Sequence, residues 1–281
     1  MNAPAKTVCP PLPDYHTHTR LCHHARGTPA EYRAAAAARG LPALAITDHA
    51  PNPVGYDPGN RMSMADFPSY QEMLLPLRDN LAPAVLYGVE ADYHEGCEAY
   101  LPAWLQSQPF DIVLGSVHQI RDWAFDDPAQ LGDWARVEVQ AVWRKYFELV
   151  ARMAATGWFD VAGHLDLPKK FGHRLRDDLL REIAAPALDA LARAGMAVEI
   201  NTSGLRKLVA EMYPSPLLLE MTRERGIALS FGSDSHRPED VGADFDKALA
   251  LARAAGYTEH AVYRARRRTM LPLPYDLPPV K

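Results

Sequence analysis

Histidines and acidic residues recur along the chain at the ends of short apolar runs. His16 and His18 lie near the amino terminus, and Asp234 and His236 lie in the sequence Gly-Ser-Asp-Ser-His near the other end. The same position after an apolar run is taken in between by Asp48, His49, Glu90, His118 and His164. Imidazole and carboxylate groups are common ligands of transition metals in proteins. The pattern therefore predicts one metal cluster to which most of the chain contributes.

The pair His16 and His18 shows how such a site begins. Alternate residues of a strand point to the same face, so both imidazoles can reach one metal ion. Taken alone this pair is weak evidence, because polar residues often end a strand. His24 follows in the next loop beside His23, and spacing does not decide which of the two turns inward. The argument for a site is that the same placement recurs from strand to strand.

The candidate ligands outnumber what one ion can use. Seven imidazoles and the carboxylates of Asp48, Glu90 and Asp234 take this position, whereas a catalytic zinc uses three protein ligands and a water. Two or three divalent ions, with a carboxylate bridging a pair, fit the set better. Such a cluster suits hydrolysis of a phosphate ester, because a bridging hydroxide is a nucleophile at neutral pH and the ions neutralise negative charge. Zinc, iron and manganese all accept this mixture of nitrogen and oxygen ligands.

Short apolar runs alternate with longer amphipathic stretches, which is typical of strand–helix units. Seven strands are predicted, at Asp14–His18, Ala43–Thr47, Ala84–Val89, Ile112–Val117, Val161–His164, Ala197–Asn201 and Ile227–Gly232. Each is followed by a predicted helix, at Pro29–Arg39, Ala65–Asn80, Glu98–Gln106, Trp134–Thr156, Asp177–Ala194, Ser215–Arg225 and Glu239–Ala255. The alternation predicts parallel strands joined by helical crossovers. Because candidate ligands follow nearly every strand, we expect a closed seven-unit barrel with one shared mouth rather than an open sheet.

Length and linker composition favour one domain. The 281 residues contain no Gly/Ser-rich linker, so we expect a single domain over residues 1–281, with a core from about 14 to 260. Both ends are rich in proline, which predicts extended arms. These arms contain Pro4, Pro10, Pro11 and Pro13 at one end and Pro272, Pro274, Pro278 and Pro279 at the other.

The net charge and the cysteine spacing limit the kinds of partner and the cellular compartment to be expected. The net charge is −5 and no basic stripe is present, which argues against nucleic acid but permits a small phosphorylated substrate at a metal cluster. Cys9, Cys22 and Cys97 have no CxxC spacing, so reduced thiols and a cytoplasmic location are expected. No apolar stretch approaches the ~18 residues of a membrane span, so no membrane partner is expected. The oligomeric state is not predicted.

The ordered motifs resemble those of the polymerase and histidinol phosphatase (PHP) superfamily. The resemblance rests on His16-Thr-His18, Thr47-Asp48-His49, Gly88-Val-Glu90, Ser116-Val-His118, Gly163-His164 and Gly232-Ser-Asp234-Ser-His236, and it spans residues 14 to 242. Three further segments resemble the histidinol-phosphatase branch of this superfamily: Cys22-His-His24-Ala, Gly163-His-Leu-Asp166 and Glu199-Ile-Asn-Thr-Ser-Gly204-Leu-Arg206. The resemblance implies a distorted, TIM-barrel-like (β/α)7 barrel, a trinuclear metal site, and hydrolysis of L-histidinol phosphate in histidine biosynthesis.

The resemblance also implies a ligand set. One metal would be bound by His16, His18, Glu90 and Asp234, a second by Glu90, His118 and His164, and a third by His24, His49 and His236, with hydroxide bridging the first and third. It favours His24 over His23, and Asp48 is expected to orient a neighbouring imidazole. Asp234 and His236 are further candidates for direct catalytic roles.

Cationic side chains near the strand ends are candidates for binding the phosphate. Arg206 is the first choice, for catalysis as well as binding, because a guanidinium can contact phosphate with two N–H groups. Lys169, Lys170 and Arg237 follow, although each could be a solvated surface cation. The remaining candidates are Gln119 beside His118, Arg61 or Tyr56 in the long loop 51–64, which could be a lid or an inert insertion, and the acidic residues Asp92 and Asp166 for the substrate's amino and imidazole groups.

Three other functions share part of this pattern. The same barrel could act on nucleotides or other small phosphate esters, as a PHP-type phosphoesterase. A non-catalytic barrel would predict gaps in the ligand series, and none of the expected positions is replaced. A metal-dependent amidohydrolase also uses an HxH pair and a late aspartate, but Asp48-His49 and Asp234-Ser-His236 fit the phosphatase better. The sequence therefore predicts a metal-dependent phosphomonoesterase.

Overall fold

A central sheet of six parallel strands is found in the computed structural model, which describes residues 11–53, 55–78 and 81–274. The strands of the chain are β1 Ala43–Ile46, β2 Ala84–Asp92, β3 Ile112–Ser116, β4 Gln119–Ile120, β5 Trp123–Ala124, β6 Val161–Ala162, β7 Ala197–Asn201, β8 Leu229–Gly232, β9 Glu259–Arg264 and β10 Arg267–Pro272. The sheet order is β1-β2-β3-β6-β7-β8. The strands thus follow one another in space as they do in the chain, as helical crossovers require.

The helices follow the strands at the predicted places. They are α1 Pro29–Ala38, α2 Phe67–Leu74, α3 Leu101–Gln106, α4 Val139–Thr156, α5 Asp177–Ala194, α6 Pro216–Glu224 and α7 Phe245–Ala254. Helix α1 begins at a capping box formed by Thr28 and Glu31, which satisfies two free amide groups. No helix of the described ranges is long and apolar enough to cross a membrane.

Some element ends differ from the predictions for local reasons. Helix α4 begins at Val139 rather than Trp134, because the preceding residues form the 3₁₀ turn Pro128–Arg136. Helix α2 ends at Leu74 instead of reaching Asn80, because Pro76 lies in the 3₁₀ turn that follows and has no amide proton to continue the helix. Asn80 itself lies outside the described residues.

The first predicted strand closes the barrel, although it forms isolated bridges rather than a continuous ladder. On one side the amide of Asp14 donates to the carbonyl of Ala43 at 3.1 Å. On the other side the amide of Tyr15 donates to Phe231 at 3.0 Å, and that of His18 to Ser235 at 2.9 Å. Residues 14–18 therefore lie between β1 and β8, and the predicted seven-unit α/β barrel is confirmed with a seventh strand reduced to bridges.

An antiparallel hairpin of β9 and β10 lies at the amino end of the barrel, and the sequence did not predict it. The amide of Ala265, between its strands, donates to Asp111 at 3.0 Å, and Arg266 contacts Asp160 at 3.0 Å. Pro272 therefore ends a strand, so its assignment to an extended arm was wrong, whereas Pro278 and Pro279 lie outside the described residues.

The barrel interior is apolar at this amino end. A buried cluster fills it with Tyr15, Ala45, Leu86, Ile112, Leu114, Val161, Ala197, Ala261 and Tyr263. A larger apolar cluster lies between the strands and the surrounding helices. Water is thus excluded from the lower half of the barrel, and the polar side chains of the same strands gather at the opposite, carboxyl end.

Candidate metal centre

The carboxylate of Glu90 lies at the centre of a group of imidazoles and is fully buried. Its Oε1 atom lies 2.9 Å from His164 Nε2 and 3.6 Å from His118 Nε2. Its Oε2 atom lies 3.0 Å from His49 Nδ1, 3.2 Å from His16 Nε2 and 3.5 Å from His18 Nε2. Five imidazoles from four segments of the barrel therefore face the two oxygens of one carboxylate.

Asp234 and His236 complete the cluster on the side of the last strand. Asp234 Oδ1 lies 3.3 Å from His18 Nε2 and 3.7 Å from His16 Nε2. The Nε2 atoms of His236 and His24 are 2.8 Å apart, and the ligand atoms of His24, His49 and His236 all lie within 4.8 Å of one another. The structure thus brings all nine predicted metal ligands together and places His24, rather than His23, among them.

Most of these imidazoles use their other ring nitrogen to contact the protein. His16 Nδ1 lies 2.8 Å from Glu199 Oε1, and His118 Nδ1 lies 3.0 Å from Asp92 Oδ1. His24 Nδ1 lies 2.7 Å from the carbonyl of Cys22, and His236 Nδ1 lies 3.1 Å from that of Asp234. A histidine that donates one N–H to such an acceptor presents the unprotonated nitrogen to a metal, as is typical of metal ligands.

The buried polar atoms of the cluster fit a divalent cation. His16 Nε2, His49 Nδ1 and Glu90 Oε2 have no hydrogen-bond partner in the protein, although such atoms are normally paired when buried. Burial opposes ionisation of Glu90, but the imidazoles of His16 and His118 hold its pKa well below the usual value. Burial lowers the pKa of His49 to about 3. An ionised carboxylate beside a neutral imidazole is the state in which both bind a metal.

The backbone turns two of the ligands inward. His164 has a φ of 22° and Asp234 a φ of 49°. Residues other than glycine rarely adopt positive φ angles, and those that do are concentrated at functional sites. Close packing adds a requirement at Gly232. A Cβ atom there would collide with the carboxylate of Glu199 and lie 2.6 Å from the Cβ of His16. Only glycine at this position leaves room for the carboxylate that orients His16.

A cavity of about 1270 Å³ opens over the cluster, and cations line its wall. They are Arg26, Arg61, Lys170, Arg206, Lys207 and Arg237. Arg206 donates to the carbonyl of Ser233 at 2.6 Å. The surrounding protein lowers the pKa of Lys207 from its usual value, and the charges of Lys170 and Arg206 lower it further. Lys207 was not among the predicted residues, because nothing in its spacing separates it from a surface lysine.

Three predicted substrate contacts lie elsewhere. Lys169 is buried and contacts the carbonyl of Met212 at 2.7 Å, Glu211 at 2.8 Å and Asp166 at 3.0 Å. It lines a separate cavity of about 300 Å³, so both Lys169 and Asp166 were wrongly expected at the main cavity. Gln119 is half-buried in the β4–β5 hairpin and pairs with Ala124; it is not one of the described residues that line the main cavity.

Other acidic residues support the ligands from behind. Glu199 contacts His16 and also accepts from the amide of His164 at 3.0 Å. Asp48 lies 3.8 Å from His18 Nδ1 and accepts from the amide of Thr19 at 2.8 Å. The role of Glu199 was not predicted, but a charged residue in the middle of the apolar strand β7 was a signal for it.

An α/β barrel whose mouth gathers imidazoles and carboxylates is typical of metal-dependent hydrolases. Residues 14–203 match the model of the PHP domain. A Deinococcus radiodurans protein named "Probable histidinol-phosphatase" is 42% identical over 247 residues, which cover 87% of this chain and 94% of that protein. The chain belongs to the PHP-domain family.

Other relatives agree with this membership. The histidinol-phosphatase of Bacillus subtilis is 27% identical over 264 residues, 84% of this chain and 97% of that enzyme. A crystal structure of histidinol phosphate phosphatase from Lactococcus lactis, complexed with zinc, L-histidinol and phosphate, superposes with a TM-score of 0.78. That structure is 24% identical and matches 92% of this chain and 99% of its own. The likeness shows that the fold is shared over nearly the whole of both chains.

Proposed function

We propose that this protein hydrolyses L-histidinol phosphate to L-histidinol and phosphate, in histidine biosynthesis. The observation that carries the proposal is the cluster around Glu90, in which five imidazoles face one buried carboxylate beneath a cavity lined by cations. The 42% identity to a Deinococcus protein named as a histidinol-phosphatase supports the choice of substrate. The Lactococcus structure with L-histidinol and phosphate supports it through a shared fold.

The ligand geometry supports a centre of two or three divalent ions, and we favour three. His16, His18 and Asp234 form one group whose ligand atoms lie within 4.8 Å of one another, and His24, His49 and His236 form another. Glu90, His118 and His164 form the third, with Glu90 facing all of its neighbours. Zinc, iron and manganese suit these ligands. The zinc in the Lactococcus structure favours zinc.

When bound, the ions supply a water activated for attack at neutral pH and neutralise the negative charge of the phosphate. Arg206 and Lys207, on the cavity wall, bind the phosphate oxygens and stabilise the charge that develops on them. His16 and His18 hold the pKa of Asp234 well below its usual value, against the effect of burial. Ser203 and Asn201 donate to Asp234 Oδ2 at 3.0 Å and 3.3 Å, so Oδ1 is the atom left to face His16 and His18 as a metal ligand.

The amino group and imidazole of L-histidinol phosphate require hydrogen-bond acceptors in the cavity wall. Asp126 and Asp127 line the cavity, as does Asp57. Asp126 lies 2.9 Å from Lys170, and this pair places one charge of each sign at the wall. We infer that the cationic amino group of L-histidinol phosphate binds at these carboxylates.

The size of the cavity keeps a second substrate class open. Its volume of about 1270 Å³ exceeds the 300–1,000 Å³ typical of small-ligand pockets. Nucleotides and other small phosphate esters would fit in it, so we retain a PHP-type phosphoesterase acting on such esters as the alternative function.

The state of the cysteines in the described residues is consistent with a reducing compartment. Cys22 and Cys97 are both buried and unpaired in the structure. Buried free thiols are typical of proteins in the cytoplasm, where disulfides are rare. We therefore infer a cytoplasmic enzyme.

The test is steady-state hydrolysis of L-histidinol phosphate beside a panel of nucleotides and sugar phosphates, with enzyme of measured metal content. We expect kcat/KM for L-histidinol phosphate to exceed that for the panel by at least about a hundredfold, the ratio that a few specific polar contacts provide. Equal, low activity across the panel from fully metallated enzyme would overturn the substrate assignment and favour the alternative.

Two histidine variants provide a matched control. His16→Ala removes a ligand and should abolish activity. His23→Asn changes a neighbouring histidine that lines the cavity but lies outside the cluster, and asparagine tolerates its positive φ of 68°. We expect this second variant to retain most of the activity and all of the metal.

A further inference from the structure

The loop at residues 51–64 contains an arginine whose charge is neutralised by carboxylates of the protein itself. The Arg61 side chain is only 3% exposed. Its Nη2 atom donates to Asp57 at 3.1 Å and to Asp92 at 3.0 Å, and Nη1 donates to the carbonyl of Ala50 at 3.4 Å. Two carboxylates thus neutralise the guanidinium, which is a poor arrangement for a phosphate ligand but a strong one for fixing a neighbour.

A tyrosine of the same loop contacts the same carboxylate. The hydroxyl of Tyr56 donates to Asp92 Oδ2 at 2.9 Å. Its ring lies beneath the guanidinium of Arg61, at 4.7 Å from the ring centroid, and stacks on His94 at 4.0 Å. These packing contacts hold the loop against the end of strand β2, where Asp92 lies.

Asp92 connects this loop to the metal centre. Its Oδ2 atom accepts from Arg61 and Tyr56, while its Oδ1 atom faces His118 Nδ1 at 3.0 Å. The opposite nitrogen of the same imidazole, Nε2, lies 3.1 Å from His164 Nε2. One oxygen of Asp92 is therefore fixed by the loop, and the other fixes the ring of a predicted metal ligand.

We propose that Arg61 and Tyr56 are positioning residues that hold Asp92 against His118 and so set the metal affinity of the subsite formed by Glu90, His118 and His164. The loop then acts on the metal centre through one carboxylate, in addition to any role in covering the cavity. The proposal rests on the metal centre of the proposed function. Partners that orient a ligating histidine commonly change metal affinity by about 10- to 100-fold.

The test measures zinc retained per chain as a chelator is titrated into the zinc-loaded enzyme. We expect Arg61→Met to release one equivalent of zinc at about 10- to 100-fold lower chelator concentration than the wild type, with the other equivalents unchanged. Arg61→Lys keeps a cation and one possible bond to Asp92, so it should restore part of the affinity. Tyr56→Phe removes only the hydroxyl and should shift the same equivalent by a smaller factor.

Arg78→Met is the matched control. Arg78 also pairs with a buried carboxylate, donating to Asp111 twice at 2.9 Å, but Asp111 precedes strand β3 at the other end of the barrel. This variant should lose stability without a change in zinc retention. Zinc retention by Arg61→Met and Tyr56→Phe equal to the wild type would overturn the inference and leave the proposed function intact. A wild-type protein that binds no zinc, iron or manganese would instead overturn the metal centre and the proposed function with it.

Discussion

The two ends of the barrel both bury charged side chains but satisfy them differently. At the amino end, Asp111 accepts two bonds from Arg78, and Asp160 accepts from Arg266 at 3.0 Å and from the amide of Val113 at 2.8 Å. At the carboxyl end, Glu90 Oε1 accepts from Ser116 at 2.5 Å, but Glu90 Oε2 and the facing atoms His16 Nε2 and His49 Nδ1 have no hydrogen-bond partner. The carboxylates of the amino end are therefore satisfied within the protein, whereas the cluster at the carboxyl end has unpaired atoms that cations would satisfy.

This difference separates charges that stabilise the fold from charges that bind something. A buried ion pair with additional hydrogen bonds compensates much of its own desolvation. Unpaired buried atoms leave that penalty uncompensated, and the positive φ angles of His164 and Asp234 add strain at the same end. The stability of the amino end supports the unsatisfied carboxyl end until metal ions bind to it.

Among changes at either end of the barrel, replacing Glu90 should cause the largest loss of activity and bound metal. Glu90→Gln keeps the shape of the side chain but removes the charge that all five imidazoles face. We expect kcat/KM to fall by about a thousandfold or more, with a loss of bound zinc that metal analysis detects. The measurement is activity and zinc content of the same preparation.

Asp111→Asn tests the same change of charge at the other end. Its carboxylate accepts from the amide of Ala265 at 3.0 Å as well as from Arg78. This variant should lose about 2 kcal/mol of unfolding free energy but keep its zinc and its KM. If Asp111→Asn lost zinc as readily as Glu90→Gln, the contrast between the two ends would be wrong.

The carboxyl end was largely predictable because its residues carry two signals at once. Each ligand has a metal-binding side chain, and every ligand except His24 lies at the end of an apolar run, as Glu90 follows the run from Val85. Strand ends of a parallel barrel converge, so these positions meet whatever the intervening loops do. The choice of His24 over His23 came from the family resemblance, since the direction of a loop side chain depends on contacts that spacing does not encode.

The parts that were missed depend on contacts distant in sequence. Every residue of strand β10 is exposed, so it lacks the alternation of apolar and polar residues that predicts a strand. Lys169 and Lys170 are neighbours in one 3₁₀ turn, where successive side chains point about 120° apart. One is therefore buried with Asp166 while the other lines the main cavity. Two adjacent lysines thus lie in different environments, one buried and one at the cavity, and the local sequence does not distinguish them.

A smaller effect is expected from removing an ion pair of the amino end. Arg266→Met leaves Asp160 with its bond from Val113 but without its cation, and because Arg266 is partly exposed we expect a loss of about 1.5 kcal/mol in unfolding free energy. Urea denaturation measures it, and kcat/KM should stay within a factor of two of the wild type. Arg136→Met removes an exposed pair with Asp133 and should change stability by less than about 0.5 kcal/mol. A fall in zinc content in Arg266→Met would show that the two ends are coupled.

The smallest expected effect is a pH dependence that originates in the hairpin. His260 in strand β9 is buried, and burial lowers its pKa to about 4. Because the folded-state pKa lies below the unfolded value of about 6.5, the unfolded chain binds the extra proton between these values. This stability is complete above about pH 6.5 and is lost as the pH falls towards 4, by about 1 kcal/mol between pH 7.5 and 5.5. His260→Leu has no such proton, so its unfolding free energy should fall less over that range. Metal release affects the wild type and His260→Leu alike, so the difference between their pH dependences of unfolding free energy reports on His260 alone. Equal pH dependences would show that the imidazole of His260 is protonated in the folded protein.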